Sequence, residues 1–198
     1  MASCANTFPP WPMLDPQFTP FPVLTTARLV LRAITVDDAA AIFRIRSDQR
    51  VMRYIGKEPT NSIEDALRLI ADVQLDLEKN DAITWAITKK GVDKMIGTIG
   101  YYRLKKEHHR GELGFALDAD QWRQGIMSEA IPAVVECGFD RFGFHGIEAI
   151  TDRENVPTNG LLEACGFVRE GLIRESYLWR GHFRDSAIWC KLTPRTVG

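Results

Sequence analysis

The run Trp122-Arg123-Gln124-Gly125-Ile126-Met127-Ser128-Glu129-Ala130 lies between residues that alternate like a strand and residues spaced like a helix. The first amides of any helix lack internal partners and point along its axis at the positive end, so a glycine-containing turn there presents N–H groups to an anion. A diphosphate fits that socket. Gly125 permits close backbone approach, and the helix end attracts negative charge without a lysine. The turn alone is a weak signal, because strand-glycine-helix turns also occur in domains that bind nothing.

No other cluster of reactive side chains stands out. Cys4, Cys137, Cys165 and Cys190 are far apart and form no CxxC or Cys/His group, so neither a zinc site nor a redox pair is expected. Cys137, Cys165 and Cys190 sit among apolar residues and read as buried free thiols in a reducing compartment. His108 and His109 are adjacent within the basic run Lys105 to Arg110, a spacing poor for metal ligation; the run reads as a solvated turn, and no metal is expected.

Several elements must position the 122–130 turn. In residues 1–22, six prolines are interleaved with Phe8, Trp11, Phe18 and Phe21, which excludes a helix or a central strand. This is an arm whose aromatics dock on the domain or on a neighbouring subunit, the alternative being a Pro-rich ligand motif. Leu29, Leu31 and Ala33 alternate with Arg28, Val30 and Arg32 as in a half-buried strand. Thr35 then caps a helix through Ala39, Ile42 and Ile45, and a second helix opens near Asn61 or Ser62.

From Ile83 the texture changes to strands at about 83–89, 95–104 and 111–118, joined as an antiparallel meander. A helix at about 125–142 and a strand at 146–151 complete a strand-helix-strand unit whose two strands should be parallel. A helix at about 156–165 stops at Gly166, and strands at about 167–179 and 183–192 follow. The expected fold is α/β (α+β), a mixed, mainly antiparallel sheet of about seven strands flanked by helices.

With 198 residues and 45% hydrophobic composition the chain can bury one core, and a single domain over residues 23–194 is expected. Net charge is −1, from 25 basic and 26 acidic residues, so nucleic acid is not an expected partner. No apolar run approaches the roughly 18 residues of a membrane span, and residues 1–22 lack the order of a secretion signal. No membrane partner and a cytoplasmic location are expected.

Three separated motifs, in order and spacing, resemble the coenzyme A-binding region of the GNAT acetyltransferase superfamily. They are Gln124 to Ala130, Asn155-Val156-Pro157-Thr158, and Leu161-Leu162-Glu163-Ala164-Cys165-Gly166-Phe167. Leu24-Thr25-Thr26-Ala27-Arg28-Leu29-Val30-Leu31-Arg32 is similar to the start of the RimJ/RimL-like, ribosomal-protein N-acetyltransferase branch, and residues 171–185 to its end. The resemblance implies a GNAT fold with a splayed parallel strand pair, and acetyl-CoA as acyl donor. It implies that backbone N–H groups around Gln124, Gly125, Ile126, Met127 and Ser128, with Arg123 beside them, grip the diphosphate. It further implies that Asn155 hydrogen-bonds the pantetheine and that Phe115, Ala116 and Leu117 pair with the pantetheine arm as a strand would. On the residues alone Asn155 is equally a helix cap. Trp122 and Met127 replace commoner residues of the motif, and Leu162 stands where many GNAT enzymes carry a proton-donating tyrosine.

Acetyl transfer to an amine needs a neutral nucleophile, yet an amino terminus has a pKa near 8 and a lysine about 10.4. Glu112 shares a strand face with Gly114 and Ala116, which leaves room for an acceptor and makes it the candidate base, directly or through water. Pairing with Arg103 or Arg110 is its other reading. The leaving thiol has a pKa of about 8.5, so a weak donor suffices. Thr158, where the branch often has a serine, is the candidate for that role or a helix-turn hydroxyl, and Tyr177 is a further acid or acceptor-contact candidate. The expected activity is acetyl transfer to a primary amine, a protein N-terminus (a ribosomal protein's among them) or a small molecule, by direct attack in a ternary complex. A non-catalytic acyl-CoA sensor on the same fold is the alternative, and a homodimer is left open.

Overall fold

In the computed structural model, which describes residues 12–194, strands β1 (Leu24–Thr25), β2 (Leu29–Ala33), β3 (Ile83–Lys89), β4 (Val92–Lys105), β5 (Arg110–Leu117), β6 (Gly146–Asp152), β7 (Val168–Trp179) and β8 (His182–Leu192) form one sheet. Their order is β1-β2-β3-β4-β5-β6-β8-β7. Every pairing is antiparallel except β5 with β6. The sheet has eight strands where about seven were expected, because the two-residue β1 is too short to display alternation. The strand-helix-strand unit is as expected: β5, helix α4 (Ile126–Asp140), then β6 in parallel.

Helices cover both faces. On one, α4 packs through Ile131, Val134 and Val135 against Trp85, Ile87, Ile99 and Leu113. On the other, α1 (Ala39–Ser47) and α3 (Ile63–Glu78) pack through Ile42, Ile45, Ala66 and Ile70 against Ala86 and Ala116. β3 is therefore buried from Ile83 to Thr88, with Thr84 and Thr88 its polar members. Between α1 and α3 lies a helix absent from the sequence reading, α2 (Gln49–Met52). Four residues carry too little periodicity to be seen. α3 starts at Ser62 with a capping box, Ser62 Oγ accepting from the Asp65 amide while the Asp65 carboxylate takes the Ser62 amide.

The described part of the arm docks on its own domain. Phe18 is fully buried, edge-on to Phe142 at 4.9 Å, and its amide donates to Asn80 Oδ1. Trp85 Nε1 donates to the Pro22 carbonyl and Arg141 to that of Pro20. Phe8, Trp11 and Cys4 lie outside the described residues.

The feature that matters for function is where the β5–β6 ladder stops. Arg110 pairs with Gly146, Gly111 with Ile147 and Glu112 with Glu148, and there it ends. Beyond Glu112, β5 keeps only β4 and β6 keeps only β8. A bulge in β4 between Tyr101 and Arg103 falls opposite the same point. Bulges add local twist and bend, which is what turns the end of β5 away from β6.

Candidate functional site

Parted strands leave unpaired backbone groups. Along β5 every second residue turns its N–H and C=O away from β4, and from Leu113 to Leu117 that side faces no strand. Immediately beyond β5, the chain turns into α4 through two left-handed residues, Arg123 (φ 61°) and Gly125 (φ 72°), with Gln124 between them. Alternating backbone handedness makes successive N–H groups converge on a concavity. No side chain caps α4, so its first amides keep their capacity for an external acceptor. Holding Arg123 left-handed costs on the order of 1–2 kcal/mol, a strain that persists only where the surroundings enforce it.

The helix mouth and the strand gap open into one cavity of about 620 Å³. Its wall includes Phe115, Ala116, Leu117, Arg123, Gly125, Ile126, Met127, Ser128 and Asn155, nine of the ten residues expected to contact coenzyme, and also Thr158. Gln124 is the tenth and does not line it. Its side chain turns to the Asp120 carbonyl and to Lys89, and its own carbonyl is held by Arg28. The Leu117 carbonyl accepts from Trp122 Nε1 at 3.0 Å, so only part of the expected Phe115–Leu117 edge is unpaired. Asn155 is both a cap and a wall residue: its Oδ1 accepts from the Thr158 amide at 3.3 Å, opening helix α5 (Val156–Ala164).

The other two catalytic candidates stand apart from the wall. Glu112 pairs with Arg103 at 3.0 Å. The room expected beside it is filled: a Cβ on Gly114 would come within 2.8 Å of the Tyr102 ring, which lies over that glycine. Tyr177 donates its hydroxyl to Asp152 Oδ2 at 2.8 Å, and its ring packs on Gly56. Burial, and then the Asp152 carboxylate, push the Tyr177 hydroxyl up to about 12. Asp152, at the end of β6, also accepts from Arg184 Nε at 2.9 Å and from the Glu154 amide at 2.7 Å. Burial works to raise its carboxyl, but the bonds from Arg184, Tyr177 and the Glu154 amide outweigh it and hold the group below the usual carboxylate range.

The sequence reading missed Asp152 and Arg184, and it missed Arg50, Arg53, Tyr54 and Ile55, which close the cavity from the segment around α2. Arg184 lies inside the motif that resembled the branch's end, the one signal that pointed near it.

Comparison with known proteins agrees with this architecture. Residues 28–168 match the family described as Acetyltransferase (GNAT) domain. The chain is 37% identical over 175 residues to the Uncharacterized N-acetyltransferase YoaA of Bacillus subtilis (strain 168), covering 88% of this chain and 99% of that one. It is 23% identical over 159 residues to the Spermidine N(1)-acetyltransferase of Vibrio cholerae serotype O1, covering 80% of this chain and 90% of that one. Among solved structures, the RimL ribosomal L7/L12 alpha-N-protein acetyltransferase in complex with coenzyme A superposes with a TM-score of 0.77 at 16% identity, covering 86% of this chain and 98% of that one. The chain belongs to the GNAT acetyltransferase family, and it is an N-acetyltransferase that uses acetyl-CoA.

Proposed function

We propose that the chain acetylates a primary amine of low basicity, the α-amino group of a peptide or small molecule, by direct attack within a ternary complex in this cavity. The observation that carries the reading is the continuity of the α4 mouth with the β5–β6 gap in one space. Bound acetyl-CoA supplies an acetyl thioester, which an amine converts to an amide with release of the thiol.

The residues present suit that donor. Amides of Gly125 to Ser128 take the diphosphate at the positive end of α4, and Arg123 adds charge at the rim. Phe115, whose N–H and C=O turn away from β4, offers backbone groups to the amide-bearing arm, Ala116 lines the wall beside it, and Asn155 faces it from the other side. Thr158 presents a hydroxyl to the sulfur.

Proton removal is what restricts the acceptor. Among the described residues no Asp, Glu or His lines the cavity, and Asp152, held acidic and fully bonded, is a poor base. At pH 7 an amine with a pKa near 8 is about one-tenth neutral, whereas one near 10.4 is neutral to less than about one part in a thousand. Arg53 and Arg123 on the wall also disfavour a polycation such as spermidine, while the charge of Arg50 is met by Asp48 at 2.6 Å. Glu112 retains a water-mediated role at most, and Tyr177, its proton directed at Asp152, serves as an acceptor contact.

The test is thiol release from acetyl-CoA with a panel of N-terminally free peptides, amino-acid amides, spermidine and an aminoglycoside. Turnover at pH 7 should be roughly a hundredfold faster with α-amines than with spermidine. Equal or faster turnover of spermidine would overturn the acceptor class. Failure to bind coenzyme A would overturn the whole reading.

A further inference from the structure

The motif Thr25-Thr26-Ala27-Arg28-Leu29 is remote in sequence from the cavity and has no part in the chemistry above. Yet Arg28, in the turn between β1 and β2, reaches the strained turn before α4. Its Nη1 donates to the Gln124 carbonyl at 3.0 Å and its Nη2 to the Gly125 carbonyl at 3.2 Å. Its Nε donates to Glu129 Oε2 at 2.6 Å. Glu129, in the first turn of α4, is held on its other oxygen by Thr26 Oγ1 at 2.5 Å and by the Arg28 amide at 2.7 Å. One planar guanidinium thus ties two successive carbonyls and one carboxylate.

The geometry points to Arg28, clamped by Glu129 and Thr26, as a positioning residue that sets the diphosphate-binding turn. Peptide planes are rigid, so fixing the Gln124 and Gly125 carbonyls fixes the amides on the other side of each plane, those of Gly125 and Ile126. These are the groups that must converge on an anion. The grip also answers two problems posed by the local sequence. Arg123 is left-handed at a cost and Gly125 is free to leave that conformation, so the turn needs an external restraint, and the Glu129 carboxylate sits near a helix end that is to receive a second anion. Arg28 supplies the restraint and neutralises the carboxylate. What the turn needs from Gly125 is its φ of 72°, since a Cβ there would make only an ordinary contact with Arg28 Nη2 at 3.4 Å. Desolvation at this half-buried site works to raise Glu129, but the bonds from Thr26 and Arg28 prevail and keep it ionised.

The inference rests on the coenzyme reading of the cavity, and its test separates the two. Calorimetric titration with coenzyme A, and steady-state rates with acetyl-CoA and with S-acetylpantetheine, which lacks the diphosphate, are compared for the unaltered chain, Arg28→Gln, Arg28→Lys and Glu129→Gln. Arg28→Gln should weaken coenzyme A binding and raise KM for acetyl-CoA by about tenfold, the size of one lost charge-assisted hydrogen bond, with little change in kcat. The loss with acetyl-CoA should exceed that with S-acetylpantetheine several-fold. Arg28→Lys should rescue only in part, because an ammonium cannot hold both carbonyls and the carboxylate in one plane. Should Arg28→Gln not fold, Glu129→Gln decides by the same donor ratio. Unchanged coenzyme A affinity in these variants, or equal losses with the two donors, would overturn the positioning role. If the unaltered chain fails to bind coenzyme A, the cofactor reading itself falls, and this inference falls with it.

Discussion

At the mouth of α4 the working groups are backbone amides, drawn from one continuous stretch of chain and clamped by Arg28 and Glu129. On the far side they are side chains carried by separate segments: Arg53 and Tyr54, after α2, line the cavity, and off its wall Asp152 on β6 joins Tyr177 on β7 and Arg184 on β8. In the proposed reading the first end recognises a feature common to every molecule of the donor, which a helix end does with little dependence on side-chain identity. In the same reading the second fits one acceptor among many, and its side chains can change without disturbing the sheet that carries them. The contrast teaches that the two ends should fail separately.

The sharpest break is Gly125→Val. A β-branched residue at φ 72° is strained wherever it stands, even though its Cβ would only touch the Arg28 guanidinium at 3.4 Å. Relief requires rotating the turn, which scatters the amides. Coenzyme A affinity should fall by about a hundredfold, equivalent to about 3 kcal/mol, while acceptor affinity measured by saturation transfer stays within about twofold. A variant binding coenzyme A normally would show that the amides are not the diphosphate site.

Asp152→Asn is the matching break at the other end. It removes the buried charge that pairs with Arg184 and leaves one acceptor oxygen where Tyr177, Arg184 and the Glu154 amide had two, at a cost of about 2–3 kcal/mol of stability; Arg184 keeps Glu154 and reaches water, which moderates the loss. KM for the acceptor should rise about tenfold or more, with coenzyme A affinity unchanged. The acid limb of the stability curve gives a second readout. Because the folded carboxyl of Asp152 lies below its unfolded value of about 3.9, its contribution is complete above that pH and disappears as pH falls through the folded value. Thermal melts between about pH 6 and pH 2.5 should therefore show Asp152→Asn converging on the unaltered chain in acid. A constant gap across that range would mean that Asp152 is not held ionised by the network.

The same contrast explains what the sequence made visible. The α4 mouth was legible because its glycine, its helix and its strand are contiguous, and Gly125 is required by a backbone conformation that few other residues adopt. The mixed sheet was legible for a similar reason: alternation and turn residues are local signals, and the strand they failed to show was the two-residue β1, as among the helices they failed to show the four residues of α2. The side proposed for the acceptor was not legible. Asp152 and Arg184 meet only because β6 pairs with β8, and Arg53 and Tyr54 arrive from a segment with no pattern of its own. Thr26 and Arg28 fall between: their motif was visible, but their partner Glu129 lies about a hundred positions on, and nothing in either stretch announces the pairing.

Glu112 provides the smallest effect and the finest test of the division. Sequence alternation placed it beside small residues, and the strand register agrees, since Glu112, Gly114 and Ala116 do share a face. What alternation could not reveal is that Tyr102, the extra residue of the β4 bulge, lays its ring over Gly114. The carboxylate is left against Arg103, whose side chain is mostly in solvent, and a pair of that kind contributes about 0–1 kcal/mol. Glu112→Gln should therefore change kcat at pH 7 by less than about threefold and leave the pH-rate profile where it was. A fall of tenfold or more at neutral pH, recovering as pH rises and the acceptor deprotonates by itself, would return Glu112 to the role of base through a water. It would also show that the acceptor's own pKa does not limit which amines the enzyme takes.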